Sequence, residues 1–285
     1  MTSETIFKDL VLSLPSMKNF HAKGTHEHSF LERLTRRDIE SLFQGADHDV
    51  KQFKPFGGIV FPYFKMGAVD ALDLFDLDAF IMFSFYWKNR GIYKNVVDGG
   101  ANIGSQSLIL EKCGFQVRAY EPDPHHFEIL KKNLSLNSCT NITAYHSAIS
   151  NTAGEMEFVR VLGNTTSSHL AGSKANPYGD LERFPVKVEA FQPIIDWADL
   201  IKLDVEAHED RILLSTNRDD WSDTDAFVEI GNKENAKVIY EHFSSLGVQL
   251  FSQKINWQQV CNVDDMPKDY REGMLFITSK NMMPW

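Results

Sequence analysis

Cysteine is scarce in this chain. Only Cys113, Cys139 and Cys261 occur, with no CxxC pair, so neither a disulfide framework nor a zinc cluster is supported and a cytoplasmic protein is the expectation. Long apolar runs are missing too: none approaches the roughly 18 uninterrupted residues of a spanning helix. The N-terminal segment has no basic n-region, so no leader and no membrane span are expected. Nor is there an excess of positive charge. With 29 Lys plus Arg against 39 Asp plus Glu the formal net charge is −10, which argues against broad binding to a nucleic-acid backbone. Internal repeats and low-complexity tracts are absent, and so is a GxGxxG dinucleotide motif. What remains is ordinary for a globular protein: 285 residues, 43% hydrophobic and 24% charged, enough for one large α/β domain with an extension.

The first 55 residues read as a helical cap or extension, with Leu31, Leu34, Ile39, Leu42 and Phe43 forming a loose helical stripe. Residues 56–285 read as the main domain. Gly57 opens a strand, and residues 76–88 are apolar enough for a buried helix. From residue 95 short β-rich runs alternate with helix-like segments, a pattern that predicts a mostly parallel sheet. The expected strands are 95–98, 116–121, 142–149, 200–204 and 226–230, and the expected helices 105–112, 123–137, 208–216 and 233–246. The late runs 248–255 and 273–279 lack a crossover helix between them, so they are expected as an antiparallel edge. Residues 162–180, rich in Gly, Ser, Thr, Asn and Pro, form a long loop of the kind that is more often functional or mobile than inert.

Three motifs carry chemistry. In the first, Val96 and Val97 lead into Asp98, Gly99, Gly100, Ala101, Asn102, Ile103 and Gly104, a β run turning through glycines into a helix. Such a turn lets the backbone approach a ligand while the helix start offers N–H donors. Asp98 would repel a pyrophosphate and suit a cationic or amine-bearing ligand. The second is Glu121, 23 positions after Asp98 (121 − 98) and followed by Pro122. An acid at the tip of the second strand accepts hydrogen bonds from a ribose diol, so the two motifs together point to a nucleoside site. The third is the strand end that carries Asp204, Glu206 and His208, at the edge where parallel sheets build their sites.

With these residues in place, the chain resembles the FkbM family of S-adenosylmethionine-dependent methyltransferases. The resemblance rests on DGGANIG (98–104), YEPDP (120–124) with Phe127 and Asn133-Leu134 following, SAIS (147–150) before Gly154, the serine pair in the long loop, IKLDVEAHE (201–209) and FVEI (227–230), and spans roughly residues 57–230. It implies an α/β class I methyltransferase sheet, Rossmann-like and mostly parallel with a reversed edge. It also implies S-adenosyl-L-methionine as cofactor and O-methylation of a hydroxyl on a sugar or natural product. Carried across, Asp98, Gly99, Gly100, Ala101, Asn102 and Gly104 would hold the cofactor's amino-acid end, Glu121 with Pro122 the ribose, and Ser147 with Ala148 the rim of the adenine pocket. Asp204 would lie near the sulfonium, while Ser167, Ser168 and Glu229 would face the acceptor. Two positions depart from the family pattern: Ala207 replaces a glycine, and Phe191-Gln192-Pro193 stands where Thr-Leu-Asp is usual.

Methyl transfer to an alcohol needs positioning and removal of the hydroxyl proton. His208 is the preferred base because an unperturbed imidazole titrates near neutrality; Asp204 or Glu206 would serve instead or orient it. A hard cation held by Asp204, Glu206, His208 and Glu229 is the weaker reading, so no metal is expected. His21, His26 and His28 are expected on a solvated segment, and His125 and His126 at a helix surface. The acceptor is expected to be a small molecule or carbohydrate, and a homo-oligomer stays open. Competing readings are a nicotinamide-dependent oxidoreductase, which wants the absent GxGxxG, and a non-catalytic protein that binds S-adenosylmethionine.

Overall fold

A computed structural model describes residues 3–174 and 179–285. Helix α1 (Ser3–Ser13) and helix α2 (His26–Leu42) open the chain, the latter capped by Thr25, whose side chain accepts from the His28 N–H. Strands β1 (Val50–Phe53) and β2 (Gly57–Val60) then pair antiparallel. A boundary at residue 55 therefore falls inside a hairpin. Helix α3 (Leu77–Asn89) is apolar all round and accordingly buried, with Phe80 stacked on Phe7 of α1 at 5.4 Å. One continuous cluster runs from Phe7, Val11 and Ile39 through Phe80 and Phe83 to Val96, Phe115 and Phe227. The N-terminal segment is packed into the core rather than appended to it.

The alternating part follows the expected order. Strand β3 (Asn95–Gly99) leads to α4 (Ser105–Lys112), β4 (Gln116–Tyr120) to α5 (Pro124–Leu136), then β5 (Ile142–Tyr145). Asp123 caps α5 by accepting from the N–H groups of His125 and His126, with Pro124 in the first turn. The expected strand 142–149 does not stay whole. After β5 the chain bends at His146 and Ser147, and β6 (Ala148–Ser150) joins a separate four-stranded sheet. That sheet is completed by β7 (Gly154–Val161), β8 (His169–Leu170) and β9 (Leu181–Ala190), in the order β6-β9-β7-β8. The long loop 162–180 thus joins the two arms of a hairpin, β7 and β9, and its residues 175–178 lie outside the described residues.

The remaining elements are α6 (Gln192–Ile195), β10 (Leu200–Leu203), α7 (Glu209–Leu213), β11 (Asp225–Glu229), α8 (Lys233–Leu246), β12 (Gln249–Ser252), β13 (Gln258–Gln259) and β14 (Met274–Thr278). The main sheet runs β13-β12-β14-β11-β10-β3-β4-β5. Strands β5, β4, β3, β10 and β11 are parallel, and β14 is antiparallel to both β11 and β12. The reversed strand therefore lies two places inside the edge, because β12 and β13 lie outside it. This is the Rossmann-like class I methyltransferase sheet, with one core under α3 and α4 and a second under α6, α7 and α8. Among the described residues no helix is long and apolar enough to cross a membrane.

Candidate active site at the switch between β3 and β10

The chain steps outward from β3 through β4 to β5, then returns to start β10 on the other side of β3. The carboxyl ends of β3 and β10 are thus the topological switch point, where open α/β sheets bind ligands. Gly100 makes the turn at φ +75°, and a Cβ placed on it would lie 1.8 Å from the Asp204 carbonyl oxygen. Only glycine allows the two strand ends to come this close. Glu121, at the end of β4, ties the loop down. Its two carboxylate oxygens accept from the N–H groups of Asn102 and Asp123, both at 2.8 Å.

Two cavities meet at Gly100, Asn102 and Asp204. The first, of about 630 Å³, is bounded by Glu121 at the end of β4, by Ser147 and by Ala148 and Ile149 of β6. Thr165 and Ser168 of the long loop, Leu170 of β8 and Glu206 line it as well. The Ser147 hydroxyl and the Asn102 side-chain oxygen are buried here without a hydrogen-bond partner. Buried polar atoms of this kind call for a missing partner. The second cavity, of about 860 Å³, lies between α3, the start of α4 and the ends of β10 and β11. Lys23, Asp76, Lys202 and Glu229 line it.

The structure brings together Gly100, Ala101, Asn102, Glu121, Pro122, Ser147, Ala148, Ser168, Asp204, Glu206 and Glu229 along these two cavities. It leaves others out. Asp98 is fully buried under the loop, taking a 2.5 Å hydrogen bond from the Ser107 hydroxyl, so it supports the turn from behind and does not reach a ligand. Gly99 and Gly104 likewise shape the loop without lining either cavity. Ser167 faces away from the cavities: its hydroxyl accepts from Asn164 and its carbonyl from Lys174. His208 is 5% exposed, and its ring is held between the Ser150 hydroxyl at Nε2 and the Ser173 hydroxyl at Nδ1, each at 2.9 Å. That arrangement joins β6 to the long loop, and His208 lines neither cavity.

The histidine expectations for the N-terminal segment also fail in part. His21 and His28 are buried, His21 accepting from the Trp257 indole at 2.9 Å and His28 facing Asp78 at 3.3 Å. No group able to hold a metal ion occurs among the described residues. His126 is buried as well, lining the first cavity with Nε2 2.9 Å from the Thr165 hydroxyl, and burial lowers its pKa to about 4. Two lysines also stand at these cavities, with no signal from the motifs. Lys202 donates to the Gly100 carbonyl at 2.9 Å and stands 3.5 Å from Asp98 and 3.4 Å from Asp204. Burial opposes its charge, but Asp204, Asp98 and Glu229 raise its pKa overall. Lys174 reaches from the long loop to Glu206 at 2.5 Å. A lysine in the middle of an otherwise apolar strand run, Leu200 to Leu203, was the available signal for Lys202.

The chain is similar to a methyltransferase. Methyltransferase sdnD of Sordaria araneosa is 26% identical over 159 residues, 44% of this chain and 61% of that protein. The chain thus spans less than two thirds of that relative's length. No protein-family model matches. Among solved structures, the precorrin-6y C5,15-methyltransferase of Geobacter metallireducens aligns with a TM-score of 0.37 and 11% identity, covering 68% of this chain and 84% of that one. The ribosomal protein L11 methylase of Lactobacillus delbrueckii subsp. bulgaricus gives 0.35 and 14%, covering 70% and 78%. At such TM-scores the likeness carries no argument, and the fold assignment rests on strand order and direction.

The turn that follows β10 is strained. Glu206 and Ala207 sit at φ +57° and +73°, in the left-handed region, at a cost of about 1 kcal/mol each for non-glycine residues. A glycine at 207 would relieve half of it. The Glu209 carboxylate holds the turn by accepting from the N–H groups of Val205 at 3.1 Å and Ala207 at 3.3 Å. Burial raises the pKa of Glu209 to about 8, and that of Glu121 to about 8 as well. In the unfolded chain both titrate near the ordinary glutamate value of about 4.3. Between these limits the unfolded state releases protons that the native state keeps, so stability is greatest below about pH 4.5 for these two groups and falls as the pH rises to about 8. The melting temperature should decline by several degrees from pH 5 to pH 8, and Glu209→Gln should flatten that slope; an equal slope in the variant would mean Glu209 stays ionised in the native state.

Proposed function

We propose that the chain is an S-adenosylmethionine-dependent methyltransferase that methylates a hydroxyl group on a sugar or natural-product acceptor, the activity implied by its FkbM resemblance. The observation that carries the reading is the junction at Gly100, Asn102 and Asp204: a glycine cradle at the switch point, with an acid at the tip of the next strand and unpartnered buried polar atoms beside it. The residues fit the cofactor. Glu121 keeps a lone pair on each oxygen for a ribose diol, Ser147 and Ala148 border the adenine side, and the Asn102 oxygen is free to accept.

When bound, S-adenosylmethionine supplies the methyl group. The chain's own task is to orient the acceptor, exclude water and take up the hydroxyl proton. Glu206 suits the last step better than His208. Its carboxylate lines the first cavity, and burial together with Asp204 raises its pKa to about 7 against the opposing pull of Lys174. A base with that affinity is half deprotonated near neutrality. Ser168 and Thr165 line the same cavity and offer hydroxyls to an acceptor. The net charge of −10 favours a small-molecule or carbohydrate acceptor over nucleic acid.

Titration calorimetry with S-adenosylmethionine and with NAD tests the cofactor, and methyl transfer from a labelled donor to hydroxylated acceptors tests the reaction. Binding of the methyl donor with transfer to oxygen is expected. Binding of NAD instead, or of neither, overturns the proposal.

A further inference from the structure

The long loop reaches the turn after β10 with two consecutive side chains. The Ser173 hydroxyl meets His208 Nδ1 at 2.9 Å, and the Lys174 ammonium donates to Glu206 Oε2 at 2.5 Å. Residues 206 and 208 are therefore gripped on either side of Ala207, which sits at φ +73°. The backbone of the same turn is held by the helices that follow. Glu209 of α7 accepts from the N–H groups of Val205 and Ala207, and the Asn235 amide of α8 donates to the Ala207 carbonyl at 3.2 Å. The turn thus takes its backbone from α7 and α8, whereas the places of its Glu206 and His208 side chains depend on the loop between β7 and β9.

Lys174 is itself anchored. Its ammonium also donates to the Ser167 carbonyl at 3.2 Å, and that carbonyl takes a second hydrogen bond from His169 Nδ1 at 3.0 Å. The pairing divides the Glu206 carboxylate. Oε2 is taken by the ammonium, whereas Oε1 has no hydrogen-bond partner among the described residues, in a side chain that lines the first cavity. Asp204 on the same turn, Glu209 at the start of α7 and Glu229 at the end of β11 all repel a negative charge on Glu206, while Lys202 of β10 and Lys174 attract it. Lys202 is engaged by Asp98, Asp204 and the Gly100 carbonyl. Among the described residues, Lys174 is the cation in contact with Glu206.

We propose that Lys174 is a positioning residue for Glu206: its ammonium pins Oε2, keeps the carboxylate ionised and leaves Oε1 to receive the proton of the acceptor hydroxyl. The acceptor hydroxyl gives its proton to Oε1 as its oxygen bonds to the methyl carbon and displaces the sulfur with its electron pair, and the Lys174 ammonium keeps its own protons. The inference rests on Glu206 as the proposed base and adds the loop between β7 and β9 to the parts the reaction needs.

Carbon-13 NMR of the full chain, labelled at the glutamate carboxyl carbons, reads the titration of Glu206 with no acceptor present, and Glu206→Gln identifies its signal. The midpoint is expected at about 7 in the unmodified protein. In Lys174→Met it should rise by about one pH unit or more, because an opposite charge in contact lowers a carboxylate by at least that much. Lys174→Arg retains the cation and should leave the midpoint near its original place. Turnover, followed by release of S-adenosylhomocysteine with a panel of monosaccharides as acceptors, should show its pH limb moving with the midpoint. A midpoint that stays at about 7 in Lys174→Met overturns the inference and leaves the proposed reaction standing. An equal rise in both variants also overturns it, since the cation is then not what holds the carboxylate. A midpoint that moves while the limb of turnover stays overturns Glu206 as the base, and the inference with it.

Discussion

Replacing Lys202 with methionine is expected to destabilise the fold by about 3–5 kcal/mol, the usual cost of removing one partner from a buried ion pair. The register of β10 on β3 places Lys202 beside Asp98, and both are nearly or fully buried, at 5% and 0% exposure. Asp98 has one hydroxyl donor, Ser107, and its other oxygen depends on the Lys202 ammonium 3.5 Å away. Without that cation a carboxylate is left charged in the core, with Asp204 and Glu229 nearby. The lysine also holds the Gly100 carbonyl at 2.9 Å, so the turn after β3 should loosen along with the fold. Chemical denaturation of Lys202→Met measures the loss. The double variant Lys202→Met with Asp98→Asn should recover much of it, because the stranded charge is removed as well. If the single variant loses less than about 1 kcal/mol, the pair is not a buried ionic contact in the sense argued here.

Glu206→Gln is expected to lower turnover by about 10²–10⁴-fold, the contribution of a positioned acid–base group, while leaving cofactor affinity unchanged. The substitution keeps the shape and removes the basic site. Because the Glu206 pKa is raised to about 7 and the base acts when deprotonated, turnover in the unmodified protein should rise with pH through about 7, and that limb should vanish in the variant. His208→Ala should act differently. Its ring bridges Ser150 and Ser173, so its loss should slacken the long loop and raise the acceptor KM more than it lowers kcat. A large kcat loss in His208→Ala with near-normal Glu206→Gln would return the base to the histidine.

Much of the fold was legible in the residues. The alternation from 95 onward, the helix limits 105–112 and 233–246 and the capping by Asp123 are local properties: hydrophobic periodicity and turn chemistry act over a few residues, so a short window reveals them. The switch-point glycines and the acid at Glu121 were legible for the same reason. Their spacing within one β-α-β unit is a local geometric requirement.

Other features are contacts between distant segments, which no local pattern encodes. The split of 142–149 between two sheets depends on β9 offering a partner to β6 some 40 residues later, at Val188 to Ala190. The tie of His208 to Ser150 and Ser173, which only the fold brings to its two nitrogens, is another such contact. Burial of His21 and His28 in a segment that reads as polar depends on Trp257 and Asp78. By itself the sequence determined the order of strands and helices in the main sheet from β3 onward and the residue types at the strand ends, because those follow from short spacing, whereas β7, β8 and β9 of the second sheet were not among the expected strands. The tertiary structure alone decided which charges are paired, because Lys202 meets the Asp98 carboxylate only when β10 lies in register beside β3.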